Sequence, residues 1–314
     1  MALFLLLIFT LSSFGTYMML VLVPKLTGVP IADIAALGSD SSTKTIHASL
    51  LAQAISHSSI FTIPALLFAG FTHPRLRDYL GLRMPGKPIH WLLSVSIMLG
   101  LIPIFLNGEA WMTQHLHFGK WADDMQAANN TTVAAFLKLK GTGELVLLLF
   151  VLAVLPAFGE ELVFRGVMLR LFHRRTFISQ NPQIITVAEA QKRMIFPIAF
   201  TAFLFAAIHF NPYGFVFIFI AGCMLAFIYY LTGSILCSML AHFVYNGIQV
   251  VSVVTSSQTD VATKVVQGDS LPIYFPILGL CVFALSFYLL ICTQTPLKAN
   301  WSDDFLLEKA SKES

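Results

Sequence analysis

Gly159-Glu160-Glu161-Leu162-Val163-Phe164-Arg165-Gly166 sets two carboxylates and a guanidinium directly after the apolar, uncharged stretch Leu145 to Phe158. Ionisable side chains beside a hydrocarbon interior are costly and are functional-site candidates by default. On a helix, neighbouring residues project about 100° apart, whereas residues four apart share a face. Glu161 and Arg165 can therefore pair, in the favourable order with the acid first, which neutralises two charges that are expensive near lipid. Glu160 points elsewhere and has no sequence-local cation, which suits it to general base or acid work. The blander reading is that all three charges mark the cytoplasmic end of a helix.

Two further spacings bear on that choice. Phe205-Ala-Ala-Ile-His209 carries a histidine near the end of an apolar segment, and His242-Phe-Val-Tyr-Asn246 puts a histidine and an amide on one helix face. A lone histidine in an apolar helix is more often a packed, hydrogen-bonded residue than a catalyst. Here a glutamate, two histidines and an asparagine arise on three segments, and polar residues within membrane spans face the bundle interior. That combination favours one shared site.

In this order, Glu160-Glu161-x-x-x-Arg165, Phe205-x-x-x-His209 and His242-x-x-x-Asn246 resemble the motifs of the CPBP family, the CAAX proteases and bacteriocin-processing enzymes also called Abi. The extension Glu-Glu-x-x-Phe-Arg-Gly, Glu160 to Gly166, sharpens the resemblance. It covers about residues 144–250, taken as the catalytic core of a single membrane domain spanning 1–314, and it implies intramembrane endopeptidase activity.

Peptide hydrolysis needs an activated water, a stabilised oxyanion and a proton for the leaving amine. The residues allow Glu160 as base, His209 as the group that holds and polarises the water, and His242 with Asn246 as oxyanion donors. The resemblance implies the same division of roles for a metal-free glutamate protease. Glu161 and Arg165 then act as supporting residues, with Phe205. The competing chemistry makes Glu160, His209 and His242 ligands of zinc with a fourth position open to water. No His-Glu-x-x-His helix accompanies that set, and zinc would need a further base, so no cofactor is the favoured reading.

These residues need a frame. Of the 314 residues 57% are hydrophobic and 11% charged, with mean hydropathy +0.78, against roughly a quarter charged in a soluble domain. A water-soluble globule is excluded. A spanning helix takes about 20 apolar residues, and the uncharged runs accommodate eight, near 2–23, 46–70, 89–106, 145–166, 194–210, 215–231, 234–254 and 272–292. The fold class expected is an all-α polytopic membrane bundle. The first segment lacks a basic leader and reads as a retained span. Asn211-Pro212-Tyr213-Gly214 and Thr232-Gly233 punctuate the longest run as turns.

Arg75, Arg77, Arg83 and Lys87, then Arg165 to Arg193, put most basic residues on one side. Cytoplasmic loops are enriched in Lys and Arg, so both termini are expected in the cytoplasm, as is a short tail, 298–314. In a bacterium the membrane would be the plasma membrane. The segment 109–143 is long for a connection and reads as carrying an interfacial helix. Straight helices would leave Glu160 and His209 at different depths, which predicts an irregular helix near Pro156.

Other polar residues receive quieter roles. His47, Gln53 and His57 read as packing or interhelical hydrogen-bonding residues, with cavity lining as the alternative. Asn107 and Glu109 read as a helix end facing water, and Trp91, Trp111, Trp121 and Trp301 as an aromatic belt at span ends. Cys223, Cys237, Cys281 and Cys292 form no metal or disulfide pattern. The charge is too scattered for nucleic acid, so the partners expected are membrane lipid and a peptide or lipidated protein. A prenylated CAAX substrate, peptide maturation, bacteriocin immunity and a non-catalytic carrier all stay open, as does the oligomeric state.

Overall fold

A computed structural model describes residues 1–178, 187–255, 270–297 and 301. Among them the regular elements are helices without strands. The principal ones are α1 (Ala2–Thr27), α2 (Thr43–Thr72), α3 (Ile89–His115), α4 (Lys120–Phe136), α5 (Thr142–His173), α6 (Val187–Ala207), α7 (Phe215–Thr232), α8 (Ile235–Thr255) and α9 (Tyr274–Thr293). The expected all-α polytopic bundle is what the chain forms.

Seven described helices are long and apolar enough to cross a membrane. The remaining expected span, the fifth at 194–210, is shorter: its apolar part is Arg193–Ala207. The helix ends there because Ile208 to Phe210 turn, with Phe210 in the left-handed region at φ 47°. His209 consequently lies on a turn just past α6, not on the helix. The next two boundaries fall where the punctuation put them. The Asn211 Oδ1 accepts from the Gly214 N–H at 2.8 Å ahead of α7, and Gly233, φ 67°, closes α7 before α8 begins.

Three quieter readings change. Asn107 and Glu109 do not end a helix, because α3 continues to His115. Asn107 instead clamps the Leu271 backbone, donating to its carbonyl at 2.9 Å and accepting from its N–H at 2.7 Å. Trp301 is 4% exposed and packs edge-on to Tyr229, so it belongs to the core instead of an aromatic belt. The rest of the 298–314 tail lies outside the described residues. The segment 109–143 does carry a helix, α4, whose Phe136 packs with Ile46, Leu50 and Leu148.

The outer helices show how the bundle meets its surroundings. Leu5, Phe9 and Phe14 of α1, and Ile277, Leu278 and Leu285 of α9, are exposed. Such a surface is unfavourable in water and natural against lipid tails. Two helices pass backbone to backbone at Gly100 of α3 and Gly279 of α9. A Cβ on Gly100 would stand 2.7 Å from the Gly279 carbonyl oxygen, and one on Gly279 would stand 2.5 Å from that of Gly100. Small residues at such crossings let backbones touch. Gly100→Leu should force α3 and α9 apart and cost on the order of 1–3 kcal/mol, read as a lower thermal midpoint in detergent. An unchanged midpoint would contradict the close crossing.

Candidate active site

The long helix α5 is not regular. It is α-helical over Thr142–Leu149 and Leu155–Glu161, and widens into π-helical turns over Phe150–Val154 and Leu162–Met168. A π turn bonds i to i+5 and is most often found at functional sites. Pro156 contributes by lacking an N–H donor for the preceding turn. The irregularity expected near Pro156 is therefore present, and it flanks Glu160 and Glu161 on both sides.

The two carboxylates part company. Glu161, fully buried, accepts from Arg165 Nη1 at 2.7 Å and from His242 Nδ1 at 3.0 Å on Oε1, and from the Ser238 hydroxyl at 2.5 Å on Oε2. Arg165 also donates from Nη2 to the Gly222 carbonyl at 2.8 Å and lies over the Phe205 ring, 4.8 Å from its centroid. This set ties α5 to α6, α7 and α8. The pairing of Glu161 with Arg165 is as expected; the engagement of His242 by Glu161 was not visible in the spacing.

Glu160 faces the other way, into a cavity of about 470 Å³ that is also lined by Phe205, His209, His242 and Asn246. The structure thus gathers Glu160, His209, His242 and Asn246 around one space, while Glu161 and Arg165 sit behind its wall. His242 Nε2 lies 3.8 Å from Glu160 Oε2, and that oxygen is buried without a hydrogen-bond partner.

Hydrogen-bond partners assign the ring protons. A carboxylate or a carbonyl only accepts, so His242 carries a proton on Nδ1 toward Glu161 and His209 carries one on Nδ1 toward the Phe205 carbonyl, 2.6 Å away. In a neutral ring the other nitrogen is then an acceptor. His209 Nε2 is left as an acceptor on the cavity side. With Nδ1 carrying its proton, His242 Nε2 is a donor only in the imidazolium form.

One residue given a quieter role by the sequence stands beside Glu160. His57 of α2 lies with Nε2 3.2 Å from Glu160 Oε1, and both side chains are nearly buried. This is an interhelical hydrogen bond of the kind expected, and with Gln53 His57 also lines the cavity, the alternative reading. His47 makes the interhelical hydrogen bond expected, 2.8 Å to Glu144. The approach of α2 depends on Gly159: a Cβ there would meet Thr62 Oγ1 at 2.6 Å and His57 Cε1 at 3.0 Å. A polar residue in a predicted span was the available signal, but nothing in the sequence set its rotation. Glu109, expected in water, also lines this cavity.

The zinc alternative can be tested on donor geometry. Among the described residues, no group of three or more His, Cys, Asp or Glu side chains is arranged to hold a metal ion. Glu160, His209 and His242 line the same cavity.

A polytopic helical membrane protein with a carboxylate and histidines meeting at a cavity is the class that fold and site define. Residues 142–248 match the family model of the Rce1-like type II CAAX prenyl endopeptidases. This agrees with the resemblance carried by the three motifs, and at family level it puts the segment with CAAX-type membrane proteases. No curated protein and no solved structure matches the chain.

Arg165→Met should destabilise the protein by about 3–5 kcal/mol, because it leaves Glu161 buried without its cation. Adding Glu161→Gln should recover part of the loss. Denaturation midpoints in detergent read both effects, and a single variant as stable as the parent would show that the pair does not support the bundle.

Proposed function

We propose that this chain is an intramembrane endopeptidase that hydrolyses peptide bonds of membrane-associated or lipidated substrates with a metal-free, glutamate-activated water. The observation that carries the reading is the meeting of Glu160 with His57, His209 and His242 at one cavity. Its agreement with the Rce1-like match over residues 142–248 supports it.

Glu160 Oε2, without a hydrogen-bond partner, takes a proton from a water held against His209 Nε2. The oxygen of that water bonds to the scissile carbonyl carbon, and the carbonyl electrons move to its oxygen. The resulting oxyanion is met by the Nε2–H of a His242 imidazolium, held by Glu161, and by the Asn246 amide one turn further along α8. The proton on Glu160 then passes to the leaving nitrogen as the C–N bond breaks, giving a carboxylic acid and an amine. His57 donates to Glu160 Oε1 and keeps the other oxygen turned to the water. The Phe205 ring, 4.6 Å from that of His209, positions the imidazole.

Basic loops and both termini belong on the cytoplasmic side of the membrane in this reading. Residues 144–250 form its catalytic core.

Glu160→Gln is the direct test, with reconstituted protein and lipidated model peptides. Turnover should fall at least a thousandfold while peptide binding survives, whereas a carrier would lose binding or transport. Full peptidase activity in both Glu160→Gln and His209→Ala would refute the assignment. Incubation with a chelator should leave activity unchanged, and stoichiometric zinc in the purified protein, with reversible loss on its removal, would overturn the metal-free mechanism.

A further inference from the structure

The cavity has a second carboxylate that the proposed hydrolysis does not use. Glu109 lines it from α3, and Oε1 accepts from Asn211 Nδ2 at 2.9 Å. No hydrogen bond to Oε2, and no Lys, Arg or His ion pair to either oxygen, occurs among the described residues. None of the residues lining the cavity is Lys or Arg, and of its three histidines His57 and His242 are committed to Glu160 and Glu161, while His209 donates to the Phe205 carbonyl.

The two carboxylates of the cavity have different partners. Glu160 has His57 and His242 beside it. Glu109 has the neutral Asn211, and the other uncharged polar residues of the lining are Gln53, Asn129, Tyr245, Asn246 and Gln249. A carboxylate facing a cavity with no cation to neutralise it favours a ligand that brings one, and such charge complementarity acts chiefly as specificity.

We infer that Glu109 is a recognition site for a positively charged group of the peptide substrate, a Lys or Arg side chain or a free terminal ammonium, bound in the same cavity as the scissile bond. The inference rests on the reading of this cavity as a peptide-hydrolysing site. Asn211 holds Glu109 in place through one oxygen and, through its own Oδ1, accepts from Gly214 N–H at the start of α7. The second oxygen is left to receive the ammonium or guanidinium.

Binding of neutral-fluorophore-labelled Ala/Leu peptides of equal length to the Glu160→Gln protein in detergent separates the possibilities. Three have acetylated N-termini and one internal Lys, Gln or Glu; a fourth carries Gln and a free N-terminus. The Lys peptide or the free-amine peptide should bind about tenfold more tightly than the acetylated Gln peptide, with the Glu peptide weakest. Which of the two gains identifies the source of the cation. The preference should shrink as salt rises and vanish in a Glu109→Gln, Glu160→Gln double variant, whose amide oxygen can still accept from Asn211.

Equal affinities for all four peptides, binding of none, or a preference that persists without Glu109 would each overturn the inference. The salt dependence and the ranking are read in the protein that retains Glu109, so they stand even if the double variant fails to fold. Failure of the peptidase reading is seen separately, as undiminished hydrolysis by Glu160→Gln.

Discussion

The ion pair between Glu161 and Arg165 is the contact around which this bundle is arranged. Its N···O distance is 2.7 Å and its side chains are 0% and 2% exposed, so neither charge keeps water. Removing two ions from water costs several kcal/mol each, and mutual attraction repays this only when the remaining donors and acceptors are also satisfied. Ser238, His242 and the Gly222 carbonyl supply those partners. The consequence is a fixed register: α5, α7 and α8 must meet at one level for the pair to be tolerated. His242 is thereby aimed at the cavity by the same carboxylate that neutralises Arg165.

Adjacent glutamates doing different work follow from helix geometry. Successive residues diverge by about 100°, so Glu161 can enter the polar knot while Glu160 faces open space. The π turns on either side let the helix hold this arrangement without a full break. Opposite them, α2 has its own π turn, Ser58–Thr62, immediately after His57. Gly159 removes the side chain that would otherwise hold α2 off. His57, Glu160 and His242 become a row across three helices as a result.

The cavity that holds this cluster is also lined by Glu109, Asn129 and Asn211. Tyr213, which donates to Asp123 at 2.5 Å, and Asn211, which donates to Glu109, fasten the Asn211 turn to α4 and α3. The left-handed Phe210 completes the reversal after α6. His209 owes its position to this turn: it stands beyond the last helical residue, with its Nδ1 returned to the Phe205 carbonyl. Local backbone strain of this kind persists only where surrounding contacts enforce it.

Much of this was legible in residue order alone. Long apolar runs without charge specify helical membrane spans because a helix satisfies all its backbone hydrogen bonds within the one segment. Glu161 and Arg165 pair by i,i+4 geometry, and Glu160, His209, His242 and Asn246 were named from their types and spacing. What periodicity does not contain is rotation about a helix axis in a nearly uniform apolar segment. The role of His57, the capture of His242 by Glu161, the cavity-facing Glu109 and the early end of α6 all depended on that rotation or on contacts between distant segments. The sequence by itself determined which residues could carry charge and chemistry inside the bundle. Tertiary structure decided which of them meet, because buried charges and close helix crossings admit few registers, and the cost of an unpaired ion selects among them.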